Sequence, residues 1–182
     1  FQGDKATKER NYGPFPFEAK EINAVLLSHA HIDHSGLIPK LIKHGFKGPV
    51  YATPPTVDLC SIMLADSGYI QEMEVERKNR KLGRAGKPLL EPIYTVNDAQ
   101  VAMEQFVAKD YGNLFSVLPG VEARFTDAGH ILGSAAIEIV ATEPERFRLV
   151  YSGDLGGWDR PIVRDPQIPV APDWLILEST YG

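Results

Sequence analysis

The stretch His29-Ala-His31-Ile-Asp33-His34 places three imidazoles and one carboxylate within six positions, and the whole chain has only five histidines. Imidazole nitrogens and carboxylate oxygens are standard ligands of zinc and similar divalent ions. In an extended segment, the alternate spacing of His29, His31 and Asp33 would point these side chains in one direction. Solvated histidines at a polar strand end are the weaker interpretation of four potential ligands in six residues.

Three further residues could contribute to the same site, and each follows a predicted strand. His130 lies among glycines, Asp154 enters a glycine turn, and Glu178 ends an apolar run. Taken singly, each has a plainer explanation: a solvated loop histidine, a turn aspartate or an exposed carboxylate. A carboxylate can nevertheless bridge two cations, as in the two-metal sites of phosphatases and nucleases. The residues alone leave Glu178 undecided.

The elements that position these residues follow from hydrophobic periodicity and from glycine and proline turns. Strands are predicted over 22–28, 50–53, 114–118, 121–126, 135–140, 147–151 and 173–177. Helices are predicted over 35–44, from Pro54 to about Leu82 and from Val96 through Val107, with a loop over 83–92. This order favours an α/β or α+β fold in which helices cover sheets.

Composition describes an ordinary globular protein of 182 residues, 43% hydrophobic and 24% charged, without an apolar stretch long enough to cross a membrane. The single cysteine, Cys60, excludes an internal disulfide framework and favours a cytoplasmic location. A net charge of −5 disfavours a generally basic surface but does not exclude a local one. One basic run could meet a phosphate backbone, although a solvated helix face is the commoner meaning of such a run. It consists of Arg77, Lys78, Arg80, Lys81, Arg84 and Lys87.

The order of the motifs resembles that of the metallo-β-lactamase superfamily. The histidine stretch with Ser35-Gly36, the Gly129-His130 loop and Ser152-Gly153-Asp154 are similar to its successive motifs. The closing Glu178-Ser-Thr-Tyr-Gly182 resembles the β-CASP branch of RNA- and DNA-processing nucleases. The resemblance implies a metallo-β-lactamase-fold αββα sandwich, incomplete here, with two sheets covered by helices.

The resemblance also implies which residues do the chemistry. His29, His31 and His130 would hold one zinc, and Asp33 and His34 the second, with Asp154 bridging the two. A metal-bridging hydroxide would then attack the phosphorus of an RNA phosphodiester. Asp33 and Glu178 are the candidate catalytic carboxylates, Glu178 as the acidic residue that orients a catalytic histidine. No residues are predicted to bind a cofactor other than metal.

We expect residues 1–182 to be a partial metallo-β-lactamase domain, because the chain opens without methionine and stops just after a strand. A β-CASP domain would begin after residue 182 and would carry the last ligand of the second zinc, so that second site should be weak here. The leading interpretation is a fragment of a zinc-dependent ribonuclease that acts on RNA, or less readily on single-stranded DNA. It could assemble into a homo-oligomer or a processing complex, and no association with a membrane is expected. A hydrolase of a small ester or thioester and a non-catalytic RNA-processing subunit are the alternatives.

Overall fold

The computed structural model describes residues 9–143, 145–167 and 171–180, and it divides into two compact units. The strands lie in one unit, which contains Asn23–Ala30, Pro49–Asp58 and Phe106–Gly182. Most of the helical residues lie in the other, which contains Phe1–Ile22, His31–Gly48 and Leu59–Gln105.

The strand-rich unit contains two sheets. A parallel sheet has the order β1-β2-β3, and a five-stranded sheet has the order β4-β5-β6-β7-β8. The five-stranded sheet is antiparallel from β4 to β7, whereas β8 pairs with β7 in parallel. The strands are β1 (Val25–Leu26), β2 (Val50–Ala52), β3 (Phe106–Ala108), β4 (Phe115–Leu118), β5 (Val121–Asp127), β6 (Ala135–Ala141), β7 (Phe147–Tyr151) and β8 (Trp174–Ile176).

The core of this unit lies between its two sheets. Phe125 and Ile137 of the five-stranded sheet are fully buried, and Leu26 and Tyr51 of the parallel sheet pack against the same cluster. The ring of Phe115 lies 5.1 Å from that of Tyr51 and 5.4 Å from that of Phe125, measured between centroids. Because this apolar contact holds the two sheets together, it also fixes the positions of their strand ends relative to one another.

The helical unit is built on a long helix. Gly68 of this helix comes so close to the backbone of Thr95 that an added Cβ would lie 2.9 Å from it. Thr95 forms a capping box with Asp98, whose carboxylate also accepts a hydrogen bond from Lys43 Nζ at 3.0 Å. The helices are α1 (Ile32–Ser35), α2 (Ile38–Lys43), α3 (Pro54–Arg84) and α4 (Val96–Met103), and the first turn of α3 belongs to the strand-rich unit.

The predicted α/β class, with two sheets and helices, is confirmed. Helix α3 and the six strands predicted after residue 49 lie within two residues of their expected bounds. The helix predicted from Val96 through Val107 is wrong at its end, because Phe106–Ala108 pairs with β2 as a parallel strand. The strand predicted over 22–28 is confined to β1, since only two of its residues pair with β2.

Some expectations fall outside the described part of the chain. The last two residues of the closing motif, Tyr181 and Gly182, are among them. Within the described ranges, none of the helices combines the length and apolarity that a membrane crossing requires.

Candidate metal centre

His29 follows β1 and is completely buried. The Oγ atom of Ser28 lies 3.1 Å from His29 Nδ1, and this hydrogen bond sets the orientation of the ring. With Nδ1 occupied, the other nitrogen faces Asp154, and Nε2 lies 3.7 Å from Asp154 Oδ2. A histidine held at one ring nitrogen and presented at the other is the usual arrangement of a metal-ligating imidazole.

His130 lies in the loop between β5 and β6, and this loop is tied down at both of its ends. The Ser134 hydroxyl accepts a hydrogen bond from the His130 backbone N–H at 3.0 Å. The Asp127 carboxylate accepts one from the Gly129 N–H at 2.9 Å. Gly129 has a φ of 64°, a left-handed conformation that glycine adopts without steric penalty. The loop therefore presents His130 from a defined backbone position.

Asp154 follows β7 and depends on a close backbone approach. Gly153 has a φ of 57°, and a Cβ added there would lie 2.8 Å from the Cβ atom of Ser28. Ser28 also accepts a hydrogen bond on its carbonyl from the Ala135 N–H at 2.8 Å. The chain after β1, the start of β6 and the turn after β7 therefore meet at one residue, Ser28.

Four side chains come together at these strand ends. The rings of His29 and His130 pack edge to face, with centroids 5.0 Å apart, and the Nε2 atom of His130 lies 3.6 Å from Asp154 Oδ2. The donor atoms of His29, His31, His130 and Asp154 all lie within 4.8 Å of one another. His29 is buried and the other three are partly exposed, so solvent reaches the group. Three imidazoles and a carboxylate match the ligand preferences of zinc and similar cations, and this group can hold a divalent metal ion.

Asp33 and His34 are not part of that group in the described residues. Both lie in α1, where His34 Nε2 is 3.8 Å from Asp33 Oδ2. The expectation that Asp33 continues the extended alternation of His29 and His31 is wrong. The backbone becomes helical at Ile32, and a helix rotates successive side chains by about 100°. The assignment of Asp33 and His34 to a second metal stays a prediction.

Glu178 lies two residues after the end of β8 and holds the loop that carries Asp154. One carboxylate oxygen accepts a hydrogen bond from the Leu155 N–H at 2.6 Å, and the other accepts one from the Thr180 N–H at 3.3 Å. The hydrogen bond from Leu155, followed by those from Thr180, lowers the pKa of Glu178 below its ordinary value. The Glu178 N–H in turn donates to the Ser152 hydroxyl at 3.0 Å. Glu178 therefore contacts the backbone of Leu155, the residue that follows Asp154.

Sequence reasoning missed the hydroxyl groups that support the ligands. Ser28 orients His29, and Ser134 accepts the backbone N–H of His130. Thr53 and Thr56 both donate to the Gly133 carbonyl, at 2.6 and 2.9 Å, and so tie down the far end of the His130 loop. All four are small hydroxyl residues near a candidate ligand or a glycine: Ser28, Thr53 and Ser134 lie beside strand ends, and Thr56 lies in the first turn of α3. That pattern was the only available signal, and it is too common to identify a site alone.

Substitution of Gly153 by alanine tests the close approach at Ser28. An alanine there meets the Ser28 side chain at 2.8 Å and is strained at a φ of 57°. We expect Gly153→Ala to weaken zinc binding at least about tenfold, because Asp154 moves with the displaced turn. Gly86→Ala is the matched control: its φ is 64°, and nothing lies within 4 Å of the added Cβ. Competition titration with a zinc chelator measures both variants, and equal zinc affinity in the two would contradict the expectation.

Comparison with known proteins relates the fold and site to a family. The sequence model described as "Metallo-beta-lactamase superfamily" matches residues 10–105, more than half of the chain. Ribonuclease TTHA0252 of Thermus thermophilus is 38% identical over 182 residues, which are 100% of this chain and 37% of that protein. Transcription termination factor FttA of Methanocaldococcus jannaschii is 33% identical over 168 residues, which are 91% of this chain and 24% of that protein. The chain thus spans well under half the length of these relatives.

The family model covers the histidine stretch and most of the helical unit. The alignment with ribonuclease TTHA0252 extends the similarity through the His130 and Asp154 loops. The expected family resemblance is confirmed: the chain belongs to the metallo-β-lactamase superfamily.

Proposed function

We propose that this chain carries most of the active site of a zinc-dependent ribonuclease of the β-CASP type, which hydrolyses RNA phosphodiester bonds. The observation that carries the proposal is the convergence of four donor atoms, from His29, His31, His130 and Asp154, within 4.8 Å. The proposal is supported by the relative named a ribonuclease, which aligns with the whole chain at 38% identity.

In this proposal His29, His31, His130 and Asp154 hold a zinc ion. A bound zinc supplies a nucleophile at neutral pH and stabilises the negative charge that develops on a phosphate. The residues of the chain orient the ligands and leave room for the substrate. The buried His29 cannot reorient, since Ser28 holds its Nδ1, and the partly exposed side of the group admits the phosphodiester. Asp33 and His34 are proposed ligands of a second zinc, with Asp154 shared between the two ions.

Glu178 is assigned a positioning role in this proposal, instead of the catalytic role expected from the resemblance. Its carboxylate accepts the N–H of Leu155, the residue after Asp154, and so fixes the turn from which Asp154 extends. The lowered pKa of Glu178 reflects the hydrogen bonds that the ionised carboxylate accepts, first from Leu155 and then from Thr180.

Four other expectations stay predictions. They are the β-CASP domain after residue 182, activity on single-stranded DNA, a cytoplasmic location, and assembly into a homo-oligomer or processing complex.

Removal of one ligand tests the metal site and the activity together. We expect His31→Ala to weaken zinc binding at least about 100-fold and to abolish zinc-dependent hydrolysis of a single-stranded RNA by the full-length protein. His44→Ala is the control, because His44 is an exposed histidine whose ring contacts Phe15 edge to face. Zinc affinity comes from chelator competition, and hydrolysis from product analysis on denaturing gels.

Different failures point to different alternatives. Undiminished zinc binding by His31→Ala would contradict the ligand assignment. Hydrolysis of a small ester or thioester, with RNA left intact, would replace the ribonuclease by a small-molecule hydrolase. RNA binding without cleavage by the zinc-loaded protein would favour the non-catalytic subunit.

A pair of substitutions separates positioning from catalysis at Glu178. Glu178→Ala removes the acceptor for the Leu155 N–H, so we expect about tenfold weaker zinc binding and slower RNA hydrolysis. Glu178→Gln keeps one amide oxygen as an acceptor and should restore most of both properties. If Gln is as damaging to hydrolysis as Ala while zinc affinity is normal in both, the carboxylate acts on the reaction itself and the positioning role is wrong.

A further inference from the structure

One exposed face of α3 carries three cations in a row. Arg77, Lys81 and Arg84 are spaced four and three residues apart, so they lie on the same side of the helix. All three are exposed, and Arg77 and Arg84 are about 10 Å apart along the helix axis. We call Arg77, Lys81 and Arg84 the cationic stripe.

The stripe is not neutralised within the described part of the chain. Its neighbours Lys78 and Arg80 pair with Glu74 and Glu76 one turn earlier, at 3.5 and 3.8 Å. No comparable ion pair is found for the three stripe residues among the described side chains. Residues 77–87 contain six of the chain's 19 lysines and arginines and no aspartate or glutamate. The stripe is therefore a locally basic surface on a chain with a net charge of −5.

Helix stability does not account for this arrangement. Cations in the last turn interact favourably with the helix dipole, which explains Lys81 and Arg84. Arg77 lies about two turns before the end of α3, where that effect has faded. Like charges three and four residues apart also repel one another and destabilise the helix slightly. A partner with regularly spaced negative charges would remove this repulsion.

The same face of α3 continues into a groove with both apolar and polar walls. Ile70 lies two turns before Arg77 on this face, is 49% exposed, and lines a groove of about 480 Å³. Tyr12, Met63 and Ile93 add apolar walls. The polar groups of the lining include the hydroxyl and amide of Ser67 and Gln71 and the carboxylates of Asp66 and Glu74. Ile32, which follows His31 in the chain, also borders this groove. The apolar walls suit the flat face of a nucleobase, and the hydroxyl, amide and carboxylate groups can accept hydrogen bonds from the amino groups at its edge.

We propose that this face of α3 binds single-stranded RNA, with consecutive phosphates on the cationic stripe and a base in the neighbouring groove. The inference rests on the proposed function for its choice of partner. It adds a binding surface on the helical unit that is separate from the metal ligands. Phosphate contacts of this kind supply affinity without sequence preference, which suits a surface built from cations and apolar walls.

Charge neutralisation on the stripe tests the proposal in the full-length protein. We expect R77Q/K81Q/R84Q to bind a labelled single-stranded RNA about tenfold more weakly at about 100 mM salt. The plot of log affinity against log salt should also become shallower by about 2, since each lost phosphate contact contributes about 0.7. Anisotropy in the presence of EDTA measures binding without hydrolysis. Glutamine is a good helix former, so α3 should persist, and unchanged zinc affinity of the variant verifies its fold.

The matched control is K20Q/K47Q/R146Q, which removes the same net charge from three exposed positions elsewhere. Loss of RNA affinity in the stripe variant alone supports the proposal. Equal affinity and equal salt dependence of the two variants would overturn it. Its failure is distinct from failure of the proposed function: a zinc-loaded protein that does not cleave RNA, yet binds it through the stripe, contradicts the nuclease and leaves this surface in place.

Discussion

The arrangement of the candidate metal centre depends on the contact at Ser28. Its carbonyl accepts the Ala135 N–H, its side chain meets Gly153 where no Cβ could fit, and its hydroxyl bonds to His29. One small residue thus joins the chain after β1 to the start of β6 and to the turn after β7. A larger side chain at Ser28 or Gly153 would separate these segments. The candidate ligands would then no longer share one location, although each strand could still form.

The backbone around the candidate ligands is held by hydrogen bonds from neighbouring segments. His130 is presented by a loop closed at Asp127 and Ser134, and Asp154 by a turn that Glu178 ties down from β8. Such preorganisation means that little conformational entropy is lost when an ion binds, which favours high affinity. The apolar contact between the two sheets supplies the rigid base for these loops.

The sequence was most informative where chemistry and strand ends coincide. His29, His31, His130 and Asp154 were recognisable because each is a ligand residue type that follows an apolar run, and the structure brings the four together. The extended geometry predicted at Asp33 was wrong, because alternation says nothing about where an extended segment turns into a helix. Phe106–Ala108 was misread as helix because its strand state depends on β2, a partner distant in sequence. The acceptor role of Glu178 was invisible, since it depends on a backbone N–H 23 residues away.

A crystal structure of the zinc-soaked protein would show whether His29, His31, His130 and Asp154 bind the same ion. At the first site we expect a zinc ion with His29, His31 and His130 nitrogens and an Asp154 oxygen about 2.0–2.2 Å away, and the Ser28 contact unchanged. An ion bound without His130 or Asp154, or binding that requires β7 to move away from Ser28, would contradict this expectation.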